Sequence, residues 1–298
     1  MLNKLAYYAK WYYLCRIRNR KIPLNSSLIL TDQCNLKCKH CTVSGLGYPA
    51  RSFREVTGDV RKLYDLGSRV LVITGGEPYV WADKEYTVED IVRFAKTVGF
   101  FRVVICTNGT YDLRSSADYL WVSLDGFSLQ HTNLRGDVYE RVVRNIEQSR
   151  HGSIYINFTI SRENHDIFEE AAEEILKIRN IRGILFHIFT PYKGSDPDLK
   201  LTAEEKDRVL GRLLKIKRKH PVRIFNTFDG LRAMRSKDWD RPIWASIVSN
   251  RGQIGPCCCR EGIYDKEICE ECGCTPAVET YVLQEGKVLA GMENLRFI

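Results

Sequence analysis

The residues with the most chemistry in their spacing are three cysteines within eight positions, Cys34-Asn-Leu-Lys-Cys38-Lys-His-Cys41. Three thiolates wrapped in so short a loop can hold three corners of a [4Fe-4S] cluster, whereas four are needed to close it. The fourth iron would then stay open to a small chelating ligand. The amine and carboxylate of an amino acid make a suitable five-membered chelate. Closely spaced cysteines in an intracellular protein also bind zinc, but zinc wants a matching fourth ligand. His40 sits between two of the cysteines, where it cannot easily face the same metal.

Three polar turns follow short apolar runs downstream: Gly75-Gly76-Glu77-Pro78, Thr107-Asn108-Gly109 and Ser123-Leu124-Asp125-Gly126. Taken singly each is turn chemistry, since Asn-Gly and Asp-Gly favour positive φ. Thr159 and Asn164 end a fifth apolar run and open the segment after it, where Asn164 also suits a helix N-cap. A second cysteine group lies at Gly252-Gln-Ile-Gly-Pro-Cys257-Cys258-Cys259 and Cys269-Glu-Glu-Cys272-Gly-Cys274. Six cysteines in 18 positions are too dense for core packing. Of the histidines outside the loop, only His187 falls where it could face inward from a strand, and a satisfied core histidine is the plainer reading.

The elements that must position these residues alternate. From residue 24, β-rich runs are interleaved with helical patterns, the signature of repeated βα units and a parallel sheet. Six strands are expected, at Ser27 to Thr31, Arg69 to Thr74, Arg102 to Thr107, Tyr119 to Leu124, Ile154 to Ile160 and Gly183 to Thr190. Between them Val56, Val60 and Leu63 mark one helix and Val88, Ile91, Val92 and Ala95 the next. Val138, Val142 and Ile146, then Phe168, Ala172 and Ile175, mark two more. In a parallel α/β fold the C-terminal strand ends carry the site, so the cysteine loop and the three turns would share one face. Thr202-Ala-Glu-Glu205 opens a long helix with a capping box.

A chain of 298 residues, 44% hydrophobic, can fill a core. Its 11 cysteines, odd in number and mostly clustered, argue for metal in a reducing, cytoplasmic compartment rather than a disulfide framework. The net charge of +8 is scattered after residue 22, so no nucleic-acid partner is expected. No apolar run reaches the roughly 18 residues that span a bilayer, and no signal-peptide pattern opens the chain.

The loop Cys34/Cys38/Cys41 with Gly75-Gly76-Glu77-Pro78 in phase after the second strand resembles the radical S-adenosylmethionine (SAM) superfamily over roughly Leu28 to Pro191. The resemblance implies a partial (β/α)6 TIM-like barrel, a catalytic [4Fe-4S] cluster on the three cysteines, and SAM on its open iron. It implies SAM contacts from Gly75, Gly76, Glu77 and Pro78, from Thr107, Asn108, Ser123 and Asp125, and from Thr159. His40 departs from the aromatic residue often found before the last cluster cysteine, although its backbone can still meet adenine. The tail resembles SPASM and twitch extensions, which carry further [4Fe-4S] clusters. The cysteine normally upstream of Gly252 is missing, so one auxiliary cluster is expected, on Cys257, Cys269, Cys272 and Cys274, with Cys258 and Cys259 as substitutes. A zinc ribbon is the plainer reading of the same tail.

The expected organisation is an N-terminal basic aromatic helix (1–22), the core barrel (23–195), a helical linker (196–240) and a small cysteine-rich iron-sulfur extension (241–298). In the first segment Leu2, Leu5, Ala9, Tyr12, Tyr13 and Ile17 form one apolar face. Tyr7, Trp11 and Leu14 lie opposite beside Lys4, and Arg16, Arg18, Arg20 and Lys21 follow. Aromatics with cations suit peripheral contact with a membrane face, with Trp11 at headgroup depth; they equally suit a helix packed under a barrel. The function implied is reductive cleavage of SAM to a 5′-deoxyadenosyl radical that modifies a peptide, small metabolite or lipid, with an external electron donor such as flavodoxin or ferredoxin. The alternative is a non-catalytic iron-sulfur or zinc protein that binds partners.

Overall fold

The computed structural model describes residues 2–256 and 265–294. Its strands are β1 (Asn25–Ile29), β2 (Val70–Thr74), β3 (Ala82–Asp83), β4 (Tyr86–Thr87), β5 (Arg102–Thr107), β6 (Tyr119–Ser123), β7 (Ile154–Ile160), β8 (Ile181–Ile188), β9 (Ser246–Asn250) and β10 (Gln253–Pro256). Eight of them form one sheet in the order β10-β9-β1-β2-β5-β6-β7-β8. All neighbours in it are parallel except β9 and β10, and β3–β4 is a separate antiparallel hairpin. The six expected strands lie within two residues of their observed bounds.

Side-chain alternation along these strands builds both the core and the cavity. On β5, Val103 and Ile105 are buried against the helices, as are Leu120 and Val122 on β6 and Ile154, Ile156, Phe158 and Ile160 on β7. The opposite rows, Arg102/Val104/Cys106, Tyr119/Trp121/Ser123 and Asn157/Thr159, line an interior cavity of about 900 Å³. The helices Phe53–Asp65, Val88–Val98, Tyr139–Gln148 and Phe168–Ile175 cover the outer row with the expected residues. Val138 is the exception, sitting at the N-cap of its helix rather than inside it.

Several expectations need correction. No helix joins β5 to β6, and the unanticipated helix Ser128–Arg135 follows β6. The sheet does not stop at residue 195: β9 adds to the free edge of β1, in register from Asn25↔Ser246 to Ile29↔Asn250. Two apolar residues, Ile247 and Val248, between serines after a long helical excursion carry too weak a pattern to stand out. The capping box at Thr202 and Glu205 does open the helix Ala203–Lys219. Within that helix Lys217 is fully buried, donates to Pro221 O and Ile224 O, and pairs with Glu293 at 2.6 Å. Glu279 accepts from Thr227 N and Oγ1 at 2.9 and 2.7 Å. These bonds fasten the C-terminal helices Thr275–Gln284 and Val288–Asn294 to the barrel.

The N-terminal segment is the helix Leu2–Tyr12 continued by a π-helical turn, Tyr13–Ile17. It packs across the N-terminal ends of the strands: Tyr7 Oη donates to Gly67 O, Lys4 Nζ to Phe101 O at 3.2 Å, and Trp11 Nε1 to Ile22 O at 2.9 Å. The buried side is therefore the one opposite the apolar face. Trp11 and Cys15 are each 4% exposed, whereas Leu5, Tyr12, Tyr13 and Ile17 are 41%, 37%, 50% and 64% exposed. Periodicity picked the aliphatic face; the fold buries the aromatic one because indole and phenol groups can satisfy backbone carbonyls at the strand ends. Trp11 is thus not at headgroup depth. Trp11→Ala should cost roughly 3 to 5 kcal/mol in urea unfolding, and Tyr13→Ala within about 0.5 kcal/mol. Equal costs would contradict this packing.

Candidate active site

The cysteine loop and the turns after β2, β5 and β6 meet at the C-terminal ends of the strands. Gly76 N donates to Thr31 O at 2.6 Å and Glu77 N to Gln33 O at 2.9 Å, so the first turn is stitched to the entry of the cysteine loop. A Cβ at Gly75 would collide with Thr31 O and one at Gly76 with Gln33 O, and Gly75 holds φ +150°. Both positions therefore require glycine for the approach of the two backbones. Gly75 and Gly76 line the cavity, while Pro78 is buried in the wall behind it.

Glu77 is fully buried and accepts from Thr107 Oγ1 (2.8 Å), Asn108 N (2.7 Å) and Tyr79 N (3.2 Å). Burial pushes its carboxyl above the usual range, against hydrogen bonds that favour the ionised form. Its side chain thereby joins the β2 turn to the β5 turn. Asn108 then spans Asn35 Oδ1 (2.9 Å) and Cys34 Sγ (3.8 Å), and Asn35 reaches Thr110 Oγ1 (2.8 Å).

Asp125 is also fully buried and does not reach the cavity surface. Its Oδ2 pairs with Arg135 Nε at 2.6 Å and its Oδ1 accepts from Thr159 N at 2.8 Å. Burial alone would raise its carboxyl; Arg135 first, then His40 and His131, hold it below the ordinary carboxylate range. Arg135 in turn places Nη1 at 4.0 Å from Cys38 Sγ. Asn164 is no N-cap: it donates to Asp125 O and Thr159 O and accepts from Ser161 N, while the following helix begins at Phe168. Ser123, Thr159, Thr107, Asn108 and the buried His40 all line the cavity.

The three thiols line this cavity and lie within electrostatic range of one another. Burial pushes the Cys34 and Cys38 thiols up, and Leu36 N and Asn108 on Cys34 and Arg135 on Cys38 oppose it. Among the described residues no three His, Cys, Asp or Glu side chains are placed to hold a single metal ion. Three thiols on one cavity can supply three of the four thiolates that a [4Fe-4S] cluster needs. In the tail, Cys269 and Cys272 are buried and Cys274 lines the cavity, whereas Cys257, Cys258 and Cys259 lie outside the described residues. The Cys272–Cys274 turn docks on β8: Ile188 N donates to Gly273 O at 3.0 Å, and Gly273 N to Thr190 Oγ1 at 3.0 Å.

Sequence reasoning missed Arg135, whose helix carries little periodicity, and a polar row on the cavity wall of which it had singled out only His187. Thr275 Oγ1 donates to Phe186 O and lies 3.4 Å from His187 Nδ1. His187 Nε2 is 3.3 Å from Asn157 Oδ1, and Asn157 Nδ2 is 3.9 Å from Cys106 Sγ. Burial lowers His187 to about 4 and raises Cys106 to about 12, so both are neutral at pH 7. Strict alternation with Val103 and Ile105 was the signal for an inward Cys106.

With this geometry in view, the comparisons with known proteins decide the family. The model of the Radical SAM superfamily matches residues 28–175. The chain belongs to the radical SAM superfamily. Its cofactors are accordingly a [4Fe-4S] cluster and S-adenosylmethionine. It is 31% identical over 202 residues to the AdoMet-dependent heme synthase of Methanosarcina barkeri, covering 61% of this chain and 55% of that protein. It is 28% identical over 241 residues to the pre-heme d1 synthase of Dinoroseobacter shibae, covering 70% and 56%. The chain thus spans about half the length of these relatives. In fold it is similar to Streptococcus suis SuiB bound to precursor peptide SuiA, with TM-score 0.64, 14% identity, and coverage of 98% of this radical SAM chain and 71% of SuiB. It is also similar to anSMEcpe with bound AdoMet and a Kp18Cys peptide, with TM-score 0.60, 16% identity and coverage of 88% and 83%.

His131 ties the β6 turn of this radical SAM core together and supplies a pH test. Its Nδ1 accepts from Asp125 N at 3.3 Å, and burial lowers its pKa to about 4. A base depressed in the fold is stabilising above its unfolded value near 6.5, and that stability is lost as pH falls toward 4. Folding stability should drop by on the order of 3 kcal/mol across that window on its account. The His131→Leu variant should show a flatter acid limb in denaturant titrations; an unchanged limb would contradict the assignment.

Proposed function

We propose that this chain reductively cleaves S-adenosylmethionine and uses the radical produced on an organic substrate held in the barrel. When bound, the cluster and SAM supply an electron and a 5′-deoxyadenosyl radical, which abstracts hydrogen from, or adds to, a carbon centre. The observation that carries the reading is the convergence of Cys34, Cys38 and Cys41 with Gly75, Gly76, Thr107 and Asn108 on one cavity.

In this reading Cys34, Cys38 and Cys41 hold three irons. The donors aimed at Cys34 and Cys38, from Leu36 N, Asn108 and Arg135, withdraw charge from the sulfurs and set the reduction potential. Gly75 and Gly76 offer backbone to the methionyl end of SAM. Thr107, Asn108, Ser123, Thr159 and His40 present polar groups to the remainder. Glu77 and Asp125 act as positioning residues, the first through the β5 turn and the second through Arg135 and Thr159. The apolar wall below excludes water from the reacting carbon. Cys269, Cys272 and Cys274, with Cys257, are assigned to one auxiliary cluster, and an external electron carrier such as flavodoxin or ferredoxin supplies the reducing electron.

Anaerobically reconstituted, reduced protein should form 5′-deoxyadenosine from SAM, and the Cys34/Cys38/Cys41→Ala variant should form none. Retention of product by that variant overturns the ligand assignment. The wild type should carry about eight irons per chain and the variant about four; zinc in the tail would overturn the auxiliary cluster.

A further inference from the structure

The N-terminal helix presents its aliphatic face outward, and the C-terminal helix Val288–Asn294 does the same beside it. Thirteen large apolar side chains are exposed among the described residues, and seven belong to these two segments: Leu5, Tyr12, Tyr13, Ile17, Val288, Leu289 and Met292. The turn that leads into the second helix touches the first segment, since Arg16 pairs with Glu285 at 3.0 Å and the Tyr12 hydroxyl lies against Gly286. A patch so concentrated on two adjoining helices marks an interaction site.

The patch is continuous with the barrel interior. Leu5, Tyr12, Val288 and Met292 are exposed yet line the same cavity as the cysteine loop. The cavity therefore reaches the surface between the two helices, below the strands. From that opening toward the cysteine loop the wall is largely apolar, with Val70, Val72, Val104, Trp121, Leu185 and Val248. Small side chains on β2, β5 and β9 leave open the space that bulkier residues fill in a packed barrel.

Cations outnumber acids on these segments. Lys10, Arg18, Arg20, Lys21 and Lys287 are exposed on the two segments and the residues that flank them, Glu285 is paired with Arg16 and Glu293 with Lys217, and no acidic residue precedes Asp32 in the chain. An aliphatic face bordered by lysine and arginine, with tyrosines at the boundary, complements an anionic lipid surface. No helix among the described residues is long and apolar enough to cross a membrane, so the contact is peripheral.

We propose that these two helices dock on an anionic membrane and that the opening between them admits the apolar chain of a lipid substrate, whose reactive carbon lies near the cysteine loop. The docking stands on this surface alone; the assignment of the lipid as substrate rests on the radical SAM reading above.

The test uses the full chain and vesicles of phosphatidylcholine with or without phosphatidylglycerol, without SAM or reductant, so that it is independent of 5′-deoxyadenosine formation. The wild type should co-sediment with the anionic vesicles and be released at about 1 M salt, where the Debye length is about 3 Å. The Tyr13→Ser/Ile17→Ser/Met292→Ser variant should bind at least about tenfold more weakly with an unchanged circular dichroism spectrum, because three apolar side chains leave the contact. Failure of the wild type to pellet, or equal pelleting of the variant, overturns the docking. For chain entry, vesicles with brominated acyl chains should quench tryptophan fluorescence in the wild type, and Trp121→Phe should remove part of that quenching. Quenching unchanged by Trp121→Phe overturns the entry of a lipid chain, whatever the outcome of the SAM assay.

Discussion

The site depends on one constraint, the fastening of the cysteine loop to the β2 turn. Two backbone bonds, Gly76 N to Thr31 O and Glu77 N to Gln33 O, draw the loops together, and only glycine at 75 and 76 leaves room for it. The carboxylate of Glu77 then carries the same connection to Thr107 and Asn108. A buried acceptor with three donors is costly to remove, because each donor would be left unpaired out of water. The positions of Cys34 and Asn108, and with them the opening for a cofactor, follow from this knot.

A second knot works from the other side. Asp125 joins Arg135 to the backbone of Thr159, and Arg135 reaches Cys38. The cysteine loop is therefore held by carboxylates from two different strand ends, neither of which faces the cavity. Glu77 and Asp125, which the resemblance implied as SAM contacts, are both fully buried and neither lines the cavity. Preorganisation of this kind spares the site reorganisation when the cofactor arrives.

The alternation of inner and outer rows made the barrel strands legible, because the helix-facing row is continuous Val, Ile and Leu. The cysteine spacing made the site legible as well. What was not legible has physical reasons. Trp11 is buried and Tyr7 half-buried with hydrogen bonds to carbonyls outside their own helix, which periodicity cannot register. Arg135 sits on a short helix whose turns do not repeat an apolar pattern, and its role appears only when β6 and the cysteine loop are brought together. β9 offers only the apolar pair Ile247 and Val248 among polar residues and is recognised only by its pairing with β1.

The central claim is that Glu77 holds the cysteine loop and the β5 turn in the geometry that receives SAM. Electron paramagnetic resonance of the reduced, reconstituted protein, titrated with SAM, tests it directly in wild type and in Glu77→Ala. The account predicts that SAM changes the cluster signal of the wild type, and that Glu77→Ala keeps the cluster but needs about tenfold more SAM or greater for the same change, a loss of about 1.4 kcal/mol. A titration that Glu77→Ala leaves unaltered would contradict it.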